Sequence, residues 1–126
     1  MKTLSCLASL LMFGAASAAV SDTEEFPQNA TSPTAQELTT RLAGKSFAVQ
    51  LKDGMGWKLE YNSSGYFFVD TSTGGRAKGI WHAEDGKLCS QVKGRDTTVG
   101  CNEARVHDDQ IVLRRTNGEL IRFVAR

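Results

Sequence analysis

No sign of charge dominates this chain: 15 Lys+Arg stand against 14 Asp+Glu in 126 residues. A protein that grips nucleic-acid backbones carries a cluster of uncompensated cations, so that class is excluded. Catalytic signatures are missing as well. The chain has no Gly-x-Ser-x-Gly elbow, no phosphate-cradling glycine loop and no nucleophile–base spacing, so neither a catalytic residue nor a bound cofactor is expected. Metal ligation would need several His, Cys, Asp or Glu side chains at ligand spacing. The only groupings are His82 with Glu84 and Asp85, and His107 with Asp108 and Asp109. Both fall in turn-like stretches, where such residues serve the backbone, and no metal is expected. What is present suits a single globular domain: the length fits one core, and 40% hydrophobic residues are too many for a disordered chain.

The longest apolar run is short and lies at the start. Met1-Lys2 is positive, Leu4 to Phe13 is apolar apart from Ser5 and Ser9, and Ala16-Ser17-Ala18 has the small-x-small form of a cleavage site. Residues 1–19 therefore read as a signal peptide, below the roughly 20 residues a spanning helix needs. Its removal takes away Lys2 and Cys6, leaving balanced charge and two cysteines, Cys89 and Cys101. The expectation is a periplasmic or secreted bacterial protein with one disulfide and no transmembrane segment after cleavage.

Residues 20–33 hold both prolines and few apolar groups, the composition of a flexible tail. The domain is expected over 34–126. Thr34 and Glu37 have capping-box spacing, Leu38 and Leu42 share a helix face, and Gly44 is a natural stop, giving one short docking helix over 34–43. From Lys45 the pattern becomes short alternating runs divided by turn residues every 8–12 positions. Eight runs are visible: Phe47 to Leu51, Trp57 to Tyr61, Tyr66 to Asp70, Gly79 to His82, Lys87 to Val92, Thr97 to Glu103, Ile111 to Arg115, and Glu119 to Val124. Asn117-Gly118 is the strongest two-residue hairpin signal. No connection is long enough for a parallel crossover, so the fold class is all-β: an antiparallel meander closed as a small barrel or folded as a sandwich. Register at Asn62–Gly65 stays open. A two-residue loop pairs Tyr61 with Tyr66, whereas a longer one puts Phe67 and Val69 on the face of Trp57, Leu59 and Tyr61.

Counting back from a turn centred near Arg95 sets Cys89 directly opposite Cys101, close enough for a disulfide. Closing that loop is worth roughly 3 kcal/mol in the entropic view. Trp57, Tyr61, Tyr66, Phe67, Phe68 and Trp81 crowd three consecutive strands. Most such aromatics form a core, but Trp57, Tyr61 and Trp81 are the candidate ligand contacts if some of them line a barrel mouth. Gly79, two residues before Trp81, would leave space beside the indole or permit a bulge. Arg105, Arg114, Arg115, Arg122 and Arg126 enrich the end of the chain in cations, as a solvated strand face or a patch for an acidic partner.

The constellation Leu42-x-Gly44, Gly79-x-Trp81, Asp85-Gly86-x-Leu88-Cys89 and a later Cys101 resembles small secreted proteobacterial proteins catalogued as domains of unknown function. The resemblance spans about residues 42–124 and implies a β-meander outside the cytoplasm; it supplies no catalytic residues. The expectation is thus a non-enzymatic exported binding module for a small apolar ligand or an envelope protein. A structural or stress-related envelope protein without a ligand is the alternative, and a small hydrolase or its inhibitor the third.

Overall fold

The computed structural model describes residues 23–94 and 99–126. The expected signal peptide, residues 20–22 of the expected tail and the turn around Arg95 lie outside the described residues.

Turn chemistry sets the architecture. Four hairpins share one loop, in which a residue both receives a bond from the glycine three positions on and donates to the carbonyl of the residue after that glycine. Asn62 N–H donates to Tyr66 O (2.9 Å) and Gly65 N–H to Asn62 O (3.3 Å); Leu51, Thr71 and Arg115 repeat the pattern. The loop needs its last residue in the left-handed region, which glycine enters without a Cβ clash, as at Gly65 (φ 96°) and Gly118 (φ 91°). Asn117 therefore sits in a three-residue loop rather than the expected two-residue one. Its carboxamide accepts from Glu119 N–H (3.0 Å), and only the glycine turns left-handed.

These loops join strands β1 (Lys45–Gln50), β2 (Gly56–Tyr61), β3 (Tyr66–Thr71), β4 (Arg76–Glu84), β5 (Lys87–Val92), β6 (Gly100–His107), β7 (Gln110–Arg114) and β8 (Leu120–Ala125). Each pairs antiparallel with the next, and β1 pairs with β8, closing a barrel in strand order. Of the two architectures open to the sequence, the barrel is the one formed, and closure leaves no strand edge to pair with another chain. The open register is also settled: Tyr61 faces Phe67 and Leu59 faces Val69, so Phe67 points inward and Tyr66 and Phe68 outward. β4 begins three residues earlier than its apolar run, because Arg76 and Ala77 extend the ladder with Asp70 and Val69.

Phe47, Val49, Leu59, Tyr61, Phe67, Trp81, Leu88, Ala104, Ile111, Ile121 and Phe123 fill the interior. Helix α1 (Ala35–Leu42) closes one end through the fully buried Leu38 and Leu42. Too short to be stable alone, it is held at both ends. Thr34 caps Glu37 N–H (3.1 Å), Asp85 in the β4–β5 turn accepts from Ala35 N–H (2.8 Å), and Arg41 reaches Asp109 in the β6–β7 turn (3.0 Å).

The part of the expected flexible tail that is described runs instead along the barrel wall. Glu24 N–H donates to Gly118 O (2.9 Å), Thr31 bridges Val106, and Pro33, itself buried, accepts from Gly86 N–H (2.8 Å). The Phe26 ring lies under the guanidinium groups of Arg105 (5.0 Å) and Arg114 (4.5 Å). Composition counted too few apolar groups for docking; the arginines and backbone of the barrel supply the partners.

Candidate binding surfaces

The three candidate aromatics occupy different parts of the barrel. Alternation on β2 directs Trp57, Leu59 and Tyr61 inward, with Trp57 nearest the end away from the helix. There Trp57 is half-buried and stacked by the Arg115 guanidinium at 4.9 Å. Glu119 Oε1 holds that guanidinium (3.3 Å), and Glu119 Oε2 is buried without a partner among the described residues. Tyr61 lies deeper, its ring 5.4 Å from Trp81, 6.0 Å from Phe67 and 6.1 Å from Phe123. Burial pushes its hydroxyl well above the ordinary phenol range, so it stays neutral. Trp81 is 8% exposed, and its indole N–H donates to Asn62 O (3.1 Å) at the helix-closed end. Tyr61 and Trp81 thus belong to one packed interior, while Trp57 alone reaches solvent, under an arginine.

Gly79 has a packing role different from the expected space beside the indole. A Cβ there would meet Gln91 O at 2.0 Å and the Phe67 ring at 2.7 Å, so the missing side chain lets β5 backbone and Phe67 close in.

The outer wall of β3, β4 and β5 carries two of the exposed large apolar residues; Val99 and Val124 lie elsewhere. Tyr66 (53% exposed) and Ile80 (49%) are cross-strand partners, and Phe68 pairs with Lys78 beside them. With Gly79, Val92 and Lys93 they line a groove of about 440 Å³. Arg76 stands over Phe68 at 5.9 Å and is paired with Asp70 (3.2 Å), so the groove's own charge comes from Lys78 and Lys93, with no carboxylate in its lining. The sequence named Tyr66 and Phe68 only as members of the aromatic cluster. Ile80, set between the inward Gly79 and Trp81, was the signal for an outward apolar row, but it required the register that the sequence left open.

The cations enriched at the end of the chain do not form a free patch. Arg105 and Arg114 flank Phe26, Arg114 also bonds Glu24 O (2.8 Å) and pairs with Glu103, and Arg122 meets His107 Nδ1 (2.9 Å). That contact engages one ring nitrogen of the second His grouping. A smaller groove of about 390 Å³ remains where Pro27 faces Val112, Leu120, Arg122 and Val124.

The first His grouping is rearranged. Asp85 serves the helix, and the cysteines take its place beside His82 and Glu84. Cys89 and Cys101 form the expected disulfide between directly paired residues, with Cα atoms 4.0 Å apart. Glu84 Oε2 lies 2.9 Å from His82 Nε2, 3.3 Å from Cys89 Sγ and 3.7 Å from Cys101 Sγ. Hairpin spacing along the chain pairs the cysteines only with each other; the β4–β5 register is what brings His82 beside Cys89.

The disulfide is compatible with a periplasmic or secreted protein, and no helix among the described residues is long and apolar enough to cross a membrane. No known protein family, curated protein or solved structure matches the chain.

Proposed function

We propose that this chain is an exported, non-enzymatic binding module that docks an extended, acidic and apolar segment of an envelope protein on the outer wall of β3–β5. The observation that carries the reading is the cross-strand pair Tyr66–Ile80, about half exposed in a barrel whose other aromatic rings are largely covered. The groove beside them is open to solvent along the wall, so an occupant would lie against the strands rather than be wholly enclosed. Apolar walls with Lys78 and Lys93 beside them complement a partner that brings both apolar side chains and carboxylates. The small-ligand version of the reading is less well supported, since the interior aromatics pack on one another and Arg115 covers Trp57. The leading apolar segment and the resemblance to secreted proteins support the exported location.

The test is site-specific photo-cross-linking in the native host, with a benzophenone side chain at Ile80 or at exposed Lys58 on β2. A discrete adduct at Ile80, absent at Lys58 and lost when Lys78 and Lys93 are both changed to Glu, is the expected result. Identical adducts at both positions, or none at Ile80, would overturn the assignment.

A further inference from the structure

The geometry points to a second, redox-gated site one step along the same wall. On reduction of the disulfide, Cys89, Cys101, His82 and Glu84 become the four ligands of a single borderline-soft cation of the zinc(II) class. This site is independent of the docking groove, and either could exist without the other.

Register places the donors. His82 pairs with Cys89, and Cys89 with Cys101, so the three form one row across β4, β5 and β6 on the outer face. Glu84, two residues beyond His82, projects from the same face. One donor atom from each lies within 4.8 Å of the other three. The row is fixed by the ladders Gly79–Glu84 with Val92–Lys87 and Lys87–Ser90 with Glu103–Gly100, not by the sulfur–sulfur bond. Opening that bond therefore leaves the cysteines opposed. Cβ atoms of such pairs are about 4.5–5.5 Å apart. Two thiolates on a tetrahedral ion, with bonds of about 2.3 Å, lie about 3.8 Å apart, within reach of that spacing. The polar contacts of the His82 and Glu84 side chains, one hydrogen bond to each other and the approach of Glu84 to the two sulfurs, stay inside the cluster, so ligation would dismantle no contact that holds the barrel.

The donor set selects the ion. Two thiolates, an imidazole nitrogen and a carboxylate oxygen make a tetrahedral sulfur, nitrogen and oxygen site, which hard oxygen-seeking cations do not favour. In the disulfide the sulfurs carry no thiolate charge, and His82 with Glu84 alone offers only two ligands. The reductant is a dithiol. One of its thiolates attacks the exposed Cys101 sulfur and Cys89 leaves as thiolate; its second thiol then displaces Cys101. The dithiol departs as a disulfide, having supplied two electrons and two protons. The cation then replaces the two thiol protons, which pass to solvent.

Cobalt(II) titration of the phosphine-reduced and oxidised protein under anaerobic conditions tests the site, with circular dichroism reporting the sheet. The reduced protein should bind one cobalt per chain with thiolate charge-transfer absorption and the visible bands of a tetrahedral ion, and the oxidised protein should show neither. His82→Ala and Glu84→Ala, which keep both cysteines, should each weaken binding at least about tenfold, comparable to the effect of disturbing the shell around a metal. No charge-transfer band in the reduced protein would overturn the proposal. So would undiminished binding by both variants, or loss of the sheet signal on reduction.

Discussion

Two walls of the same barrel meet solvent differently. On the β6–β8 side, Val112 faces outward yet is 1% exposed, because residues 23–33 run over that wall and engage Arg105 and Arg114. On the β3–β5 side, Tyr66 and Ile80 face outward by the same alternation and nothing in the described chain lies over them. An outward apolar residue is thus not in itself a docking signal. It becomes one where the chain's own segments leave it bare and the surrounding charges stay unmatched. Lys78 and Lys93 make no ion pair among the described residues, although Arg76 beside them pairs with Asp70; across the barrel Arg114 pairs with Glu103 and the Glu24 carboxylate with Lys52.

Substitutions separate the walls by the size of their effects. The largest is expected at the floor of the bare wall. Gly79→Ala forces a methyl group against the Gln91 carbonyl and should lower stability by about 3 kcal/mol, read as a drop in the urea midpoint. A change below 0.5 kcal/mol would mean that β4 and β5 separate freely there. On the covered wall, Phe26→Ala removes two cation–ring contacts and should cost about 1–2 kcal/mol. Hydrogen exchange should then quicken at the Thr31 and Val106 amides, which bond across that seam, and unchanged protection would show that Phe26 does not hold the segment. The smallest effect belongs to the bare pair itself. Tyr66→Thr with Ile80→Thr keeps β-favouring residues on an exposed face and should shift stability by less than about 0.5 kcal/mol while abolishing the Ile80-side adduct when the cross-linker is moved to Phe68. A large loss of stability would reassign the pair to structural packing.

Much of the fold was legible because it is written in local chemistry. Asn62-Ser63-Ser64-Gly65 and Asp53-Gly54 announce turns through side-chain acceptors and a left-handed glycine, and eight alternating runs between turns leave little but a meander. Thr34, Leu38, Leu42 and Gly44 mark the helix by capping and spacing. The cysteines faced each other by counting along one hairpin. The candidate surfaces were less legible. Moving one residue at Asn62–Gly65 exchanges Phe67 with Tyr66 and Phe68 between core and surface, and the sequence is apolar either way. His82, Glu84 and the disulfide meet through two successive registers, and the docking of 23–33 depends on arginines some 80–90 positions away.

The sequence by itself determined the strand count, the antiparallel order, the single helix and the cysteine pair, because turns, caps and alternation act within a few residues. Tertiary structure decided that the meander closes as a barrel and that Phe67 points in while Tyr66 and Ile80 point out. It also decided that Val112 lies under residues 23–33 while Tyr66 and Ile80 stay bare. Those outcomes depend on which surfaces exclude water together, a property of residues distant in sequence and adjacent only once the ring of strands has closed.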